Sequence, residues 1–429
     1  MGRIIGIRHR RKKTREGEAR PTMVAIKSDD VIHQLELEDD TAELDFLMGR
    51  LPIEWRDVLE SDNITNISPH HCKWRKAKKG EFDDKPLPKF TRKTVGKKGL
   101  PVLEVLVKIP ISYDGICGGD EVAMVLGGSG DRFAAALSRR GEDIGAEVFR
   151  IPPYSLAYNR VGNDKESDHI QLVNLLESRR YLFYGVRQRD RHLIRVKEAL
   201  SARQDALKQR IACEQRILQS LVGKIFLNEE GCYPEGVIEA RYDEAKANDV
   251  ILQALIKEEE RRNKELANAV EAVEVWQMIF ESIEGVGPRL AAGIIAPIGD
   301  IRRFIAPNGA ARLKKFCGVH VMKDGRFPRR RAGELANWSP SARQALYLLA
   351  DQFNRRPNSH WGQKLLQYKL TLREKHPEPI EMEVSDGNGG KKKMKRYTNG
   401  HIHKMALWRT LTRFVERLYK DWVAIEQRG

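Results

Sequence analysis

Cysteines and long apolar runs are both scarce in this sequence. The five cysteines stand singly, with no Cys-x-x-Cys pair, so their spacing does not indicate a disulfide framework and is typical of a reducing cytoplasm. No apolar run approaches the roughly 20 residues that span a bilayer. The basic residues of the N-terminus follow a short apolar stretch instead of preceding it, unlike a secretory signal. We therefore expect a cytoplasmic protein with no membrane partner.

Acidic residues are outnumbered by basic ones. The 429 residues include 76 Lys plus Arg against 60 Asp plus Glu, which gives a formal net charge of +16 and a pI near 9.5. The excess stands in discrete clusters, which favours contact with phosphate polymers over the alternative of general solubility. A chain of this length also predicts about two to four domains.

The first 184 residues have the pattern of an α/β domain. The runs RIIGIRH, TMVAIK and VIHQLEL are rich in Ile and Val and predict an opening β meander. Strand-like and helix-like stretches alternate again after Pro101. Between them, residues of about 55–101 form a basic, Pro/Gly-containing segment that predicts an inserted loop or arm. Aromatic residues among its cations suit base stacking, and a solvated basic loop is the alternative.

A metal site is not expected in this insertion. His70, His71 and Cys72 are adjacent to one another, and no second pair of ligands accompanies them in the sequence. Adjacent ligands of this kind make a poor zinc site. The sequence therefore predicts no metal-binding residues here.

Two long charged segments follow, 189–226 and 237–283, and leucines recur at heptad spacing in the first. The break between them contains Gly231, Pro234 and Gly236, which predicts an antiparallel helical hairpin, a coiled coil, over residues 185–282. Such a hairpin buries little surface by itself, so we expect it to pack on a domain or on a second copy of the chain. A homodimer is the expected assembly.

The sequence pattern of residues 283–429 predicts a mainly α-helical domain that binds phosphates. Its Gly-x-Gly-Pro turn exposes backbone N–H groups at a helix start, although such turns are often purely structural. Core packing is the alternative for its Trp338, and helix capping is favoured over metal binding for its His-x-His pair. Across the chain, the candidate RNA- and DNA-binding residues are Arg8, Arg10, Arg11, Lys12, Lys13, Lys73, Trp74, Arg75, Gly285, Gly287, Lys314, Lys315, Arg326, Arg329, Arg330, Arg331, Trp338, His401, His403, Lys404 and Arg409.

The ordered series from Ile283 to Trp422, including IEGVGPRL, RFPRRRAGELANWSP and GHIHKMALWRTL, resembles the C-terminal domain of bridge-RNA-guided insertion-sequence transposases. More distantly it resembles the Nop domain of box C/D ribonucleoproteins, and the resemblance extends less sharply over the whole chain. It implies a prokaryotic or phage-encoded protein. Its implied architecture is a RuvC-like (RNase H-like) α/β domain, the helical hairpin, and a Nop/transposase-like domain over residues 283–429.

The residues that align with the family's catalytic groups depart from its pattern. Arg8 stands at the first Asp position and Gly127 at the Glu position, so only Asp164 and Asp168 remain as weak catalytic candidates. Metal-assisted phosphodiester chemistry needs several converging carboxylates. The family's serine would fall within residues 322–326, which contain none, and Ser339 and Ser341 have the pattern of a helix start. We expect no cofactor, with Mg²⁺ required only if the site is active.

The sequence lacks the family's catalytic acids but keeps its basic clusters, and in this combination it also resembles the TIGR-Tas proteins, which are Nop-domain effectors. That resemblance implies an RNA-guided DNA-binding protein whose partners are a small guide RNA and target double-stranded DNA. The alternative is an active nuclease or transposase with a site rebuilt from Asp164, Asp168 and other acids. A third hypothesis is a ribonucleoprotein scaffold that binds RNA alone. The other acids considered for a rebuilt site are Asp114, Asp120, Glu121 and Asp131.

Overall fold

A computed structural model describes residues 2–9, 21–78, 81–82, 86–95, 99–160, 162, 165–305, 307–322, 327–328, 337–385 and 391–428. The strands are β1 (Ile4–Arg8), β2 (Thr22–Ser28), β3 (Val31–Leu37), β4 (Leu51–Asp57), β5 (Lys73–Lys76), β6 (Thr91–Val95), β7 (Pro101–Asp114), β8 (Glu121–Val125), β9 (Glu147–Ile151), β10 (Tyr184–Gly185), β11 (Ile380–Ser385) and β12 (Lys391–Arg396). The helices are α1 (Asp40–Leu47), α2 (Asp131–Ile144), α3 (Pro153–Asn159), α4 (Asp168–Ser178), α5 (Gln188–Phe226), α6 (Ile238–Asn248), α7 (Val250–Glu271), α8 (Pro288–Ile298), α9 (Gly309–Phe316), α10 (Pro340–Arg355), α11 (His360–Lys375) and α12 (Asn399–Arg428). None of these helices is long and apolar enough to cross a bilayer.

A six-stranded mixed sheet organises the first compact unit, residues 1–187, in the order β10-β9-β8-β1-β2-β3. The first three strands form the predicted antiparallel meander, while β8 and β9 run parallel to β1. Helix α4 crosses β1 so closely that a methyl group at Gly6 would overlap the carbonyl oxygen of His169. Because β1, β8 and β9 are parallel, their carboxyl ends share one edge of the sheet. Arg8 lies at that edge, which we call the carboxyl edge.

The described part of the basic insertion contains β-strands. Strand β7 pairs antiparallel with β4, β5 and β6, so a second, four-stranded sheet includes parts of the segment that was interpreted from sequence as a loop or arm. That interpretation was wrong for β5 and β6, because both strands pair with β7 beside a small buried core. The small core under this sheet contains Cys72, Leu106 and Ile109, with Trp74 and Phe90 packed against it.

Helices α5 and α7 lie antiparallel in the second compact unit, residues 188–429. The guanidinium of Arg203 donates to Asn263 at 3.0 Å and to Glu259 at 3.1 Å, and Arg210 donates to the same Glu259 at 2.5 Å. Near the start of α5, the ring of His192 lies 3.0 Å from the carbonyl of Ala272, just after α7. The predicted pair of antiparallel helices is therefore present, and their description as a coiled coil stays a prediction.

The C-terminal helices share one hydrophobic core with the base of the α5–α7 pair. Leu193 and Val196 of α5 and Leu266 of α7 belong to the same buried cluster as residues of α8, α10, α11 and α12. Trp422 of α12 is among the largest fully buried side chains. The hairpin and the C-terminal helices lie in one compact unit, and the domain boundary predicted at residues 282–283 stays a prediction. Strands β11 and β12 form a separate antiparallel hairpin.

Candidate functional site

The carboxyl edge of the large sheet contains ion pairs where the resemblance would place an acidic site. Arg8, at the end of β1, lies with Nη1 3.0 Å from Oε2 of Glu166. At the start of α4, both carboxylate oxygens of Asp168 accept hydrogen bonds from Arg160, from Nε at 2.7 Å and from Nη2 at 2.9 Å. Both side chains of this second pair are about nine-tenths buried. The lone pairs of Asp168 are therefore directed at a guanidinium.

Neighbouring acids at the same edge are also engaged. Glu43 accepts a hydrogen bond from the hydroxyl of Thr22 at 2.7 Å, and its Oε1 lies 3.3 Å from Nε2 of His9. Asp131, at the start of α2, forms a buried ion pair with Arg150. A hard divalent ion needs several free carboxylate oxygens in one place, and nearby guanidinium groups repel it. The described residues of this edge therefore do not fit a Mg²⁺ ion.

The remaining acids considered for a rebuilt site lie at the opposite end of the sheet. Asp114 and Asp120 both accept from Arg3, at 2.7 and 2.8 Å, just before β1 begins. Glu121 begins β8 and pairs with Arg180. A five-residue strand spans about 13 Å, so these three acids do not converge with Asp168. Asp164 lies outside the described residues.

The candidate residues of the insertion are engaged in internal contacts. The ammonium of Lys73 lies 3.8 Å from the ring centroid of Trp55. Trp74 donates its indole N–H to the carbonyl of Pro69 at 3.0 Å and lies under the guanidinium of Arg92 at 4.2 Å. Arg75 pairs with Glu81 through two hydrogen bonds of 2.9 and 2.5 Å. Arg10, Arg11, Lys12 and Lys13 lie outside the described residues.

The Gly-x-Gly-Pro turn leads into α8 as the sequence indicates. Gly285 has φ +84°, a left-handed conformation that favours glycine, and Gly287 is the N-cap of α8. A side chain at Gly285 would overlap the guanidinium of Arg356, whose Nη1 also donates to Gln352 at 2.6 Å. A guanidinium thus lies beside a turn that precedes a helix N-terminus, where phosphates bind. Arg356 could not be predicted from the turn's sequence, because about 70 residues separate the two.

A second cluster of aromatic and cationic side chains surrounds Arg343. Its guanidinium carbon lies 5.1 Å from the ring centroid of Trp338 and 4.7 Å from that of Trp408, and Nη1 donates to the carbonyl of Pro328 at 2.7 Å. Burial lowers the pKa of Arg343. Trp338 is half-buried in this cluster, as expected if it serves packing. Lys314 and Lys315 lie in the last turn of α9.

Part of the second unit matches a known protein family. Residues 277–366 match the model of the Transposase IS116/IS110/IS902 family. The match supports a relationship to insertion-sequence transposases over 90 of the 429 residues, from just before the Gly-x-Gly-Pro turn into α11. We call this stretch the transposase-like region. No curated protein matches the chain.

The transposase-like region contains several of the predicted binding residues. Gly285, Gly287, Lys314, Lys315 and Trp338 are described there, together with Arg356. The four arginines of the dense basic run, at positions 326, 329, 330 and 331, also fall within the match but lie outside the described residues. Ser339 is confirmed as the N-cap of α10, since its hydroxyl accepts the N–H of Ala342 at 3.3 Å.

The predicted His-x-His pair follows the transposase-like region, on the first turn of α12. His401 accepts the backbone N–H of Tyr397 at Nδ1, at 2.9 Å, while its own backbone N–H donates to the hydroxyl of Thr398 at 3.3 Å. Burial, with help from Lys369 and Lys404, lowers the pKa of His403. Arg409 lies over the ring of Tyr368 at 5.0 Å.

Proposed function

We propose that the protein is an RNA-guided DNA-binding protein related to insertion-sequence transposases, with a degenerate RuvC-like site. The observation that carries the proposal is the match of residues 277–366 to a transposase family, joined to a carboxyl edge where Arg8 and Arg160 pair with Glu166 and Asp168. Base pairing of a small guide RNA would select the sequence, while the protein would contact backbone shape and charge.

The sheet topology supports the RuvC-like interpretation of the first unit. A three-stranded antiparallel meander lies beside two parallel strands, and α4 packs across the first strand at Gly6. This arrangement brings the end of β1, the loop after β8 and the start of α4 to one edge. Those are the positions at which the resemblance implies acids, and here they are occupied by Arg8, Gly127 and the Asp168–Arg160 pair.

The Gly-x-Gly-Pro turn supplies the proposed phosphate contact. Backbone N–H groups at the start of α8 have no side-chain cap, and the guanidinium of Arg356, which follows α10, lies beside the same turn at Gly285. Together these groups suit a phosphate of RNA or DNA, because a helix N-terminus and a guanidinium both favour an anion. Lys314 and Lys315 extend the positive charge of the same region.

The test begins with purification of the full-length protein and sequencing of the RNA that copurifies. A duplex that matches this RNA is then titrated with and without it, at several salt concentrations. We expect binding to depend on the RNA. The double variant Lys314→Ala and Lys315→Ala should reduce the salt slope, which is the slope of the logarithm of the binding constant against the logarithm of the salt concentration, by about one for each of these lysines that binds a phosphate. Lys208→Ala, on the exposed face of α5, is the charge control. Equal duplex binding without RNA would reject the proposal.

The second candidate is an active insertion-sequence transposase or nuclease. It is favoured by the match of residues 277–366 to a family of transposases. It requires a functional acid at the carboxyl edge, and Asp168 is the described candidate. Absence of Mg²⁺-dependent cleavage of target DNA would remove this candidate, whereas cleavage that Asp168→Ala abolishes would support it.

A homodimer is part of the proposal. The ends of α5 and α7 near the hairpin tip expose Phe226, Val250 and Ile251, with 64, 81 and 68% of their surface accessible. Large exposed apolar side chains favour association of chains when they share one surface. Light scattering on the RNA complex is expected to give the mass of two chains.

A further inference from the structure

Three potential metal ligands meet where helix α1 contacts the inserted sheet. Oδ2 of Asp45 lies 3.0 Å from Nε2 of His70 and 3.0 Å from Nε2 of His71. Elsewhere in the described ranges, no other group of three His, Cys, Asp or Glu ligands converges in this way. We propose that Asp45, His70 and His71 form a binding site for zinc or a similar first-row transition metal ion, independent of the function proposed above.

The spacing of the three atoms suits one ion. Ligands bound tetrahedrally to zinc at about 2.0–2.1 Å lie roughly 3.3 Å from one another, close to the two 3.0 Å separations from Asp45, and all three ligand atoms lie within 4.8 Å of one another. His71 is 6% exposed, and its Nε2 makes no hydrogen bond of acceptable geometry despite its short distance to Asp45. A buried ring nitrogen without a hydrogen bond is unfavourable. A shared cation beside the carboxylate would satisfy it.

The backbone and outer contacts already hold these ligands in place. A turn from Ser68 to His71 is closed by the hydrogen bond from the His71 N–H to the Ser68 carbonyl at 3.0 Å. The hydroxyl of Ser68 lies 2.7 Å from Nδ1 of His70, so Nδ1 can donate to it and leave the Nε2 lone pair for a metal. Arg50 donates to Oδ1 of Asp45 at 3.1 Å and orients the carboxylate.

The donor set identifies the class of ion. Two imidazoles with one carboxylate suit zinc, iron, cobalt or nickel, whereas magnesium and calcium prefer oxygen ligands alone. Cys72 is not a ligand, since its thiol is directed at the Ser68 carbonyl at 3.7 Å. The side chain of His70 is 46% exposed, so a fourth position would be open to water.

A bound ion would join the loop before β5 to helix α1. Asp45 belongs to α1, while both histidines belong to the turn that enters the inserted sheet. The proposal departs from the expectation of no metal, which rested on His70, His71 and Cys72 alone. The third ligand stands 25 residues before His70 in the chain, and only the fold brings it to them.

The test uses full-length protein that has been treated with a chelator, dialysed, and titrated with zinc sulfate. Metal content is measured by mass spectrometry, and the zinc environment by X-ray absorption. We expect one zinc ion per chain with two imidazoles in its first shell. Asp45→Asn and His70→Ala should each weaken binding about a hundredfold or more, while His33→Ala, at an exposed histidine of β3, should not change it.

Two results would overturn the proposal. One is wild-type protein that retains no stoichiometric zinc. The other is zinc uptake that is equal in wild type, Asp45→Asn and His70→Ala, which would place the ion elsewhere. Since His70 is half-exposed, its replacement should leave the fold intact, and circular dichroism checks this. If a variant does not fold, the absorption spectrum of the wild-type complex decides: a first shell without two imidazoles contradicts the site.

Discussion

Replacement of Asp168 distinguishes a structural ion pair from a metal ligand. Asp168→Ala removes the carboxylate that accepts two hydrogen bonds from Arg160, in a pair whose side chains are each 11% exposed. Breaking a buried pair of this kind costs about 3–5 kcal/mol, because the remaining charge loses its partner in a poorly solvated place. We expect the free energy of unfolding of the first unit to fall by this amount in Asp168→Ala. Hydrogen exchange of the β1 amides measures it without interference from the second unit.

The matched control is Glu177→Gln at the other end of α4. Glu177 pairs with Lys27 at 2.6 Å, but its side chain is 47% exposed, so its loss should cost less than about 1 kcal/mol. Arg160→Ala combined with Asp168→Ala should cost less than the sum of the two single changes, since the two groups interact directly. If Asp168→Ala instead stabilises the unit, and added Mg²⁺ protects wild type but not the variant, the carboxylate is a metal ligand and the reasoning is wrong.

Three further predictions follow from the described contacts. Gly6→Ala should destabilise the first unit by at least about 2 kcal/mol in urea unfolding, because the new methyl group overlaps the carbonyl of His169, whereas Gly223→Ala on open helix surface should not destabilise. Burial, Lys315 and Arg343 lower the pKa of His320, so its contribution to stability is present above pH 6.5 and is lost as pH falls. The free energy of unfolding should therefore differ less between pH 7.5 and pH 5.5 in His320→Gln than in wild type. Arg356→Ala should weaken nucleic-acid binding and lower the salt slope in a titration, and an unchanged slope would exclude a phosphate contact.

Sequence patterns were sufficient where the physics is local. Alternating Ile and Val predicted the β1–β3 meander, and a Gly/Pro break between charged helical segments predicted the antiparallel α5 and α7. The Ser339 cap was visible because a serine before Pro340 is typical of a helix start.

Patterns failed where contacts join distant segments. About 70 residues separate Gly285 from Arg356, and even over the eight residues between Arg160 and Asp168 no pattern indicated their pairing. Asp45 and the two histidines were likewise separated by a strand and a loop. The insertion was misinterpreted because many of its residues are charged and few are buried. Its small core forms only when β7, from later in the chain, pairs with β5 and β6.

Incubation of the protein and its own RNA with matching duplex DNA and Mg²⁺ tests the central claim most directly. One reaction is analysed for binding by mobility shift and for strand breakage by denaturing gel. We predict that the duplex is bound in the presence of the RNA and remains intact, since the carboxyl edge contains the Arg8–Glu166 and Arg160–Asp168 pairs. Cleavage that requires Mg²⁺ and disappears in Asp168→Ala would contradict the account.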